Sequence, residues 1–432
     1  MKIYECGKDD LNQLYDLLKQ RSIEGQENVE NVVSRILQDV LKRGDEALFE
    51  YTEKFDGVKL DPIEVTEKEM DEAFKAIDKN LLDVIKRAAE NIRAYHEKQR
   101  ENSWFMTKES GIILGQKIVP LKRVGVYAPA GSAPLPSTVL MDVIPAKVAG
   151  VEEIILCSPP GKDGRMNPLV LACARLAGVN RAFKIGGAQA VGAMAYGTKS
   201  VPKVDKIVGP GNIYVATAKK QVFGVCGIDM IAGPSEILVI ADETANPAFV
   251  AADLLSQAEH DRLASAILVT TSKEMAYKVA EEVKIQLSKL ERAEIASKSI
   301  EEYGSIIVAS DIEEAVDIAN TIAPEHLEVC TEVPFALLDD IKNAGAIFLG
   351  NYSPEPLGDY YAGPNHTLPT SGTARFFSPL GVYDFVKRQS VISYSKKAFD
   401  IASSDVAAFA DAEGLTAHRN AVLIRTEAEN KN

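Results

Sequence analysis

Four of the five histidines in this chain, His260, His326, His366 and His418, sit in short motifs rich in acids and glycine between residues 257 and 418. Imidazole titrates near neutral pH and is a common metal ligand, so this grouping points to one metal-centred site. In Ser256-Gln257-Ala258-Glu259-His260-Asp261, Gln257 and His260 are three apart. That spacing would put them on one helix face, able to grip one ion together, although a surface helix end would look similar. In Ala323-Pro324-Glu325-His326-Leu327 a histidine beside a carboxylate suits general-base work at neutral pH, and a capping Glu beside a packed His is the competing reading. Adjacent strand residues alternate in direction, so Glu325 and His326 are expected to face different ways. The run from Pro354 to Thr370 has no periodicity, as functional loops often do not. Within it Asp359 and His366 could both reach a metal, while a turn-forming Asp is the plainer alternative. In Glu413-Gly414-Leu415-Thr416-Ala417-His418 a glycine starts a terminal helix. His418 with Gln257, His260 and an Asp makes a four-ligand N/O set suited to zinc. His96 lies on a charged helical stretch with no such motif and reads as a solvated surface residue.

The elements that must position these residues follow from texture. At 432 residues the chain is too long for one simple core, and two to four domains are expected. The first hundred residues read as helical and highly charged. Thr66 and Glu69 form a capping box, followed by Met70, Phe74, Ile77, Leu81, Ile85, Ile92 and Tyr95 on one face of a single long helix. From about residue 117, β-branched runs alternate with Ala-rich helical stretches, and near 233 the rhythm restarts. Such alternation implies parallel sheets covered by helices, hence an α/β fold with two successive domains of similar plan. The expected divisions are a helical region over 1–110, α/β domains over 111–232 and 233–380, and a helical tail over 381–432.

Composition narrows the function. A hydrophobic share of 46% with 25% charged residues is ordinary for a globular protein, and the net charge of −14 argues against nucleic acid or an anionic membrane surface as partner. The cysteines Cys6, Cys157, Cys173, Cys226 and Cys330 are scattered and never spaced CxxC, which suits free thiols in a reducing compartment. The N-terminal MKIYECGKDDLNQ has no apolar core and so does not read as a signal peptide, and no apolar run approaches the roughly 18 residues of a membrane span. A cytoplasmic location is the expectation.

Ligands of open α/β sheets collect at strand carboxyl ends and helix N-termini. Three Gly-rich turns follow predicted strands: Gly125-Val126-Tyr127-Ala128-Pro129-Ala130-Gly131, Gly186-Gly187-Ala188-Gln189 and Gly209-Pro210-Gly211-Asn212. None is a complete GxGxxG with its acidic partner, so a nucleotide is permitted, and each glycine could equally serve helix packing.

The run from Gly227 to Asp242, GIDMIAGPSEILVIAD, resembles the signature of the histidinol dehydrogenase family. GVYAPAGSAPLPSTVLM, IGGAQA, GPGN, LLSQAEHD, APEHLE, GDYYAGPNHTLPTSG and EGLTAHRNAV also match, in the family's order over residues 124 to 423. The resemblance implies oxidation of L-histidinol through L-histidinal to L-histidine, the last steps of histidine biosynthesis, with two NAD reduced in succession. It implies one zinc per subunit held by Gln257, His260, Asp359 and His418, which also contact substrate together with Ser235, His326 and Glu413. His326 would take the alcohol proton and Glu325 would activate water on the aldehyde. Tyr127, Gln189 and Asn212 match NAD-binding positions, and His366 has no firm role. The family's fold is two incomplete Rossmann-like domains in an intertwined homodimer, whose tail reaches the partner's site. Apart from the resemblance, a zinc hydrolase would use the same His/Asp/Gln set, and a two-lobed solute-binding protein would use the cleft between α/β lobes.

Overall fold

The computed structural model describes residues 1–21, 26–130 and 134–427. The chain divides into two compact units, Met1–Gln99 with Leu121–Phe385, and Arg100–Pro120 with Val386–Asn432.

The larger unit holds two all-parallel sheets. In the first, the strands run in space Arg181–Phe183, Glu153–Cys157, Arg123–Tyr127, Lys206–Val208, Gly227–Ile228. The chain therefore starts at the centre, builds to one side, then returns to build the other. The second sheet repeats that plan, with Ser305–Val308, Ser265–Thr270, Glu236–Ala241, His326–Cys330 and Ala346–Leu349 in spatial order. Each sheet thus has one topological switch point, beside Arg123–Tyr127 in the first and beside Glu236–Ala241 in the second. The α/β expectation of two similar parallel-sheet folds holds. An addition went unseen in the sequence: Lys2–Glu5 is a strand, parallel to Ser305–Val308 at the edge of the second sheet.

Glu236–Ala241, Ser265–Thr270 and His326–Cys330 are buried along their whole lengths. Helices on both faces explain why these strands read as continuous apolar runs instead of alternating ones. Each buried Val, Leu or Ile contributes about 1.5–3 kcal/mol of transfer free energy. The polar residues Glu236, Ser265 and His326 all fall at the first position of such a strand.

Three local expectations are corrected. The single long helix is two, Glu67–Ala76 and Lys79–Glu97, because Asp78 caps the second by accepting from the Asn80 and Leu81 amides at 2.9 and 3.1 Å. The Thr66–Glu69 capping box is present. His96 is fully buried, its Nδ1 2.8 Å from the Ile92 carbonyl oxygen, and burial lowers its pKa. The residues after 380 are not simply a helical tail: Val386–Tyr394 is a strand. In the second unit it pairs antiparallel with Ile112–Pro120, which pairs with Trp104–Lys108, and helices Lys396–Ala412 and Thr416–Glu427 follow. Trp104, Phe105, Ile392, Ile401, Phe409 and Ile424 of that unit are exposed.

All five cysteines are free, and Cys157 and Cys173 are buried. Among the described residues no helix is long and apolar enough to cross a membrane.

Candidate active site

The second sheet's polar centre forms at the amino ends of its strands, not at the carboxyl ends where open α/β sheets usually bind ligands. The helix Ile312–Ile322 closes on Ala323, at φ 54°, and Pro324 leads into a bend at Glu325. Glu325 lies just before the strand and His326 is its first residue. Both are buried, and both bind the backbone of Glu236 on the neighbouring strand. The Glu236 amide donates to Glu325 Oε2 at 2.9 Å, and the Glu236 carbonyl is 2.9 Å from His326 Nδ1. A carbonyl can only accept, so Nδ1 carries a proton and Nε2 is the nitrogen that gains or loses one as the ring titrates. The two side chains approach to 3.7 Å although strand neighbours point to opposite faces, since Glu325 sits at a bend just before the strand.

His326 Nε2 faces two carboxylates, Asp359 Oδ1 at 3.7 Å and Glu355 Oε1 at 4.0 Å. These come from the stretch expected to be loop, which contains a short helix, Glu355–Leu357, and a wide turn over Gly358–Ala362. The Glu355 amide donates to buried Glu328 at 2.7 Å, and Ser256 Oγ donates to Glu355 Oε2 at 3.1 Å. Gly358 lets this turn pack close, since a Cβ there would lie 2.6 Å from the Phe348 ring. His366 Nδ1 is 4.0 Å from Asp359 Oδ1. Its segment is pinned by Asn365 Nδ2, which donates to the Met141 carbonyl at 2.6 Å, and by Thr367 Oγ1, which donates to Asp142 Oδ1 at 2.8 Å.

Gln257 is buried in the last turn of helix Pro247–Ala258, with its side-chain nitrogen lacking a protein partner. His260 lies beyond the helix end, its amide donating to the Gln257 carbonyl at 3.0 Å, so the two do not share a helix face. The electrostatics of Asp359 and His326 nonetheless reach His260, whose pKa desolvation lowers overall.

Burial pushes the Glu325 carboxyl up to about 8, against the opposing pull of His326. Burial and the charge of Asp359 likewise raise Glu355 to about 8. Burial alone would lower His326, but Glu325, Asp359 and Glu355 outweigh it and hold the imidazolium up to about 10. Asp359 stays below the ordinary carboxylate range, because His326 and His366 overcome its burial. His326 Nε2, a Glu355 oxygen and an Asp359 oxygen lie within 4.8 Å of one another, a spacing that can hold a metal ion. His326 Nε2 and Glu355 Oε1 are buried without hydrogen-bond partners. Unpaired buried groups of this kind are costly, and a cation held beside Glu355 and Asp359 would offset their charge, so the carboxylates fit a divalent metal nearby. Of the expected metal set, only Asp359 belongs to this triad.

The first sheet contributes a cavity of about 1090 Å³, lined among others by Tyr127, Gly187, Gln189, Asn212, His260 and Tyr360. The Gly-rich turns and the metal-candidate His260 therefore meet in one space. Tyr127 ends the central strand at the switch point, and its hydroxyl accepts from the Gly187 amide at 3.1 Å. Asn212 caps helix Ile213–Val222, its side-chain oxygen accepting from the Tyr214 and Val215 amides. Gly209 has φ 111° and packs so closely that a Cβ would lie 2.2 Å from the Tyr127 carbonyl oxygen, a position only glycine fills. Gly131 lies outside the described residues.

Ser235 directly precedes Glu236, and its carbonyl accepts from the Ser265 amide at 3.0 Å. Glu413 and His418 belong to the second unit, where Glu413 closes helix Lys396–Ala412, His418 lies in the first turn of Thr416–Glu427, and both are exposed.

Residues 19–426 match the family model described as histidinol dehydrogenase. The histidinol dehydrogenase of Clostridium acetobutylicum is 54% identical over 427 residues, covering 98% of this chain and 99% of that one. That of Aquifex aeolicus is 57% identical over 429 residues, with 98% and 99% covered. The chain belongs to the histidinol dehydrogenase family. A crystal structure of histidinol dehydrogenase from Elizabethkingia anophelis superposes with a TM-score of 0.94 at 41% identity, covering 100% of this chain and 99% of that chain. In this member of the histidinol dehydrogenases, Glu355 and Glu236 went unnoticed in the sequence. The available signals were an acid four residues before Asp359 on one short helical turn, and a charged first residue, Glu236, before the apolar run Ile237–Ala241.

Proposed function

We propose that the protein catalyses the zinc-dependent, NAD-linked, four-electron oxidation of L-histidinol through L-histidinal to L-histidine. The observation that carries this reading is the pair Glu325 and His326, both held by the backbone of Glu236 with His326 Nε2 left unpartnered. Each of two successive oxidations needs a proton acceptor, and two adjacent ionisable groups supply them.

Gln257, His260, Asp359 and His418 would hold the zinc. When bound, the cation would orient the substrate's imidazole and amine and offset the negative charge that otherwise keeps His326 protonated. NAD would accept one hydride from the alcohol carbon and a second NAD one from the aldehyde hydrate. In the first step His326 Nε2 takes the hydroxyl proton as hydride leaves carbon, giving the aldehyde. Glu325, oriented by the Glu236 amide, then takes a proton from the water that adds to the carbonyl. His326 returns its first proton to the carbonyl oxygen as water adds, so that on loss of hydride from the hydrate it accepts a second proton, and the resulting acid ionises to the carboxylate. Tyr127, Gln189 and Asn212 would contact NAD, supported by their shared cavity with His260.

In this reading 111–232 is the dinucleotide domain and 233–380 carries most of the metal site, with 1–110 and 381–432 as flanking regions. Ser235, Glu413 and His418 would contact substrate, the last two from the partner of a homodimer with shared active sites. The exposed apolar residues of the second unit support a second copy as their cover. The protein would work in the cytoplasm, with no nucleic acid or membrane partner. Purified protein given histidinol and NAD should release two NADH per substrate, and chelation should abolish the signal with restoration by zinc. Absence of NADH from metal-loaded protein would refute the reading.

A further inference from the structure

Glu236 is the residue on which the site's geometry converges, since one amide and one carbonyl of the same residue orient Glu325 and His326. Its own position is set from far away in the chain. Arg21, which follows helix Asn12–Gln20, is buried with no exposed side-chain surface and forms an ion pair with the Glu236 carboxylate. The same guanidinium donates through Nη1 to the Leu263 carbonyl at 2.8 Å and more weakly to the Ser235 carbonyl at 3.5 Å. One planar cation therefore ties together the start of Glu236–Ala241 and the turn leading into Ser265–Thr270. Lysine, a point charge with no rigid fork, cannot reproduce that set.

A buried ion pair adds little net stability, because desolvation offsets its attraction, so an apolar pair would fill the same space as well. What the charged pair supplies is direction. It locks the backbone at Ser235 and Glu236, and any shift there displaces the partners of both Glu325 and His326 together. We propose that Arg21, acting through Glu236, is a positioning residue that aligns Glu325 and His326 for proton transfer. The proposal rests on the roles given to those two residues above.

The test compares R21K, R21M and R21M/E236Q in the metal-loaded full-length protein, with rates normalised to the folded fraction. Misplacement of reacting groups by about 1 Å costs on the order of 100-fold in rate. R21M and the double variant should therefore lose at least about tenfold in kcat for NADH formation, while KM for NAD stays within about twofold. R21K should lie between R21M and the unsubstituted protein. The double variant leaves no unpaired buried charge and should recover the unfolding midpoint lost in R21M without recovering kcat. If R21M does not fold, the double variant and R21K carry the comparison. A folded double variant or R21K with kcat equal to that of the unsubstituted protein would overturn the proposal. An unsubstituted protein that makes no histidinol-dependent NADH would overturn the reaction itself instead.

Discussion

Replacing Lys219 with Met should loosen the turn that begins the Gly209–Asn212 segment. The Lys219 ammonium is buried, pairs with Asp229 and donates to the Gly209 carbonyl at 2.8 Å. Asp229 in turn accepts from the Gly209 amide at 2.8 Å and the Met230 amide at 2.6 Å. Both backbone groups of Gly209 are thus held by one ion pair. Asp142 lies close by, since a Cβ on Gly209 would be 3.0 Å from its Oδ2. Removing the cation leaves the Asp229 carboxylate buried and beside a second acid. Breaking a buried pair from one side costs about 3–5 kcal/mol, a large part of a total stability of about 5–15 kcal/mol. The K219M/D229N pair removes both charges and should recover more than half of that loss. Urea unfolding of the single and double variants reads both quantities. In the enzymatic assay the single variant should raise KM for NAD more than KM for histidinol. A K219M protein within about 1 kcal/mol of the unsubstituted one, or a double variant no more stable than K219M, would refute the reasoning.

Three further expectations test the site. Glu325→Gln keeps an acceptor for the Glu236 amide but cannot take a proton, so single-turnover oxidation of histidinal should fall by about 10²–10⁴ and that of histidinol much less; equal losses would remove Glu325 as water activator. Asp142 is raised to about 8 by burial and by Asp229, above its ordinary value near 3.9. The native state therefore keeps a proton that the unfolded chain releases between about pH 4 and 8, and stability is lost as pH rises through that window. Asp142→Asn escapes this loss, so its stability relative to the unsubstituted protein should improve from pH 5 to pH 8 in urea unfolding, and a pH-independent difference would contradict it. His418→Ala and Glu325→Gln subunits, each nearly inactive alone in forming histidine, should regain histidine formation when mixed and reassembled if the tail serves the partner's site. No recovery on mixing would place His418 in its own subunit's site.

Much of this protein was legible locally. The Thr66–Glu69 capping box, the apolar strand runs, the glycine turns after them and the motif residues all depend on neighbours a few positions apart. Periodicity and turn chemistry report those neighbours directly. The same locality explains the misreadings. The apolar spacing of Met70 to Tyr95 continues across Asp78 although the helix breaks there, because a cap is a backbone event that leaves the side-chain rhythm intact. His96 sits among charged residues in sequence yet is buried by what packs on its helix. Val386–Tyr394 is a strand because it pairs with Ile112–Pro120, some 270 residues earlier, and no local pattern encodes that partner. At the centre, the sequence by itself determined that Glu325 and His326 were acid and base candidates. Only the tertiary structure decided that both hang on Glu236, that Glu355 faces the imidazole and that Arg21 stands behind them. Those contacts are hydrogen bonds and ion pairs between segments brought together by burial of the second sheet, and their register follows from strand order, which no short stretch of chain contains.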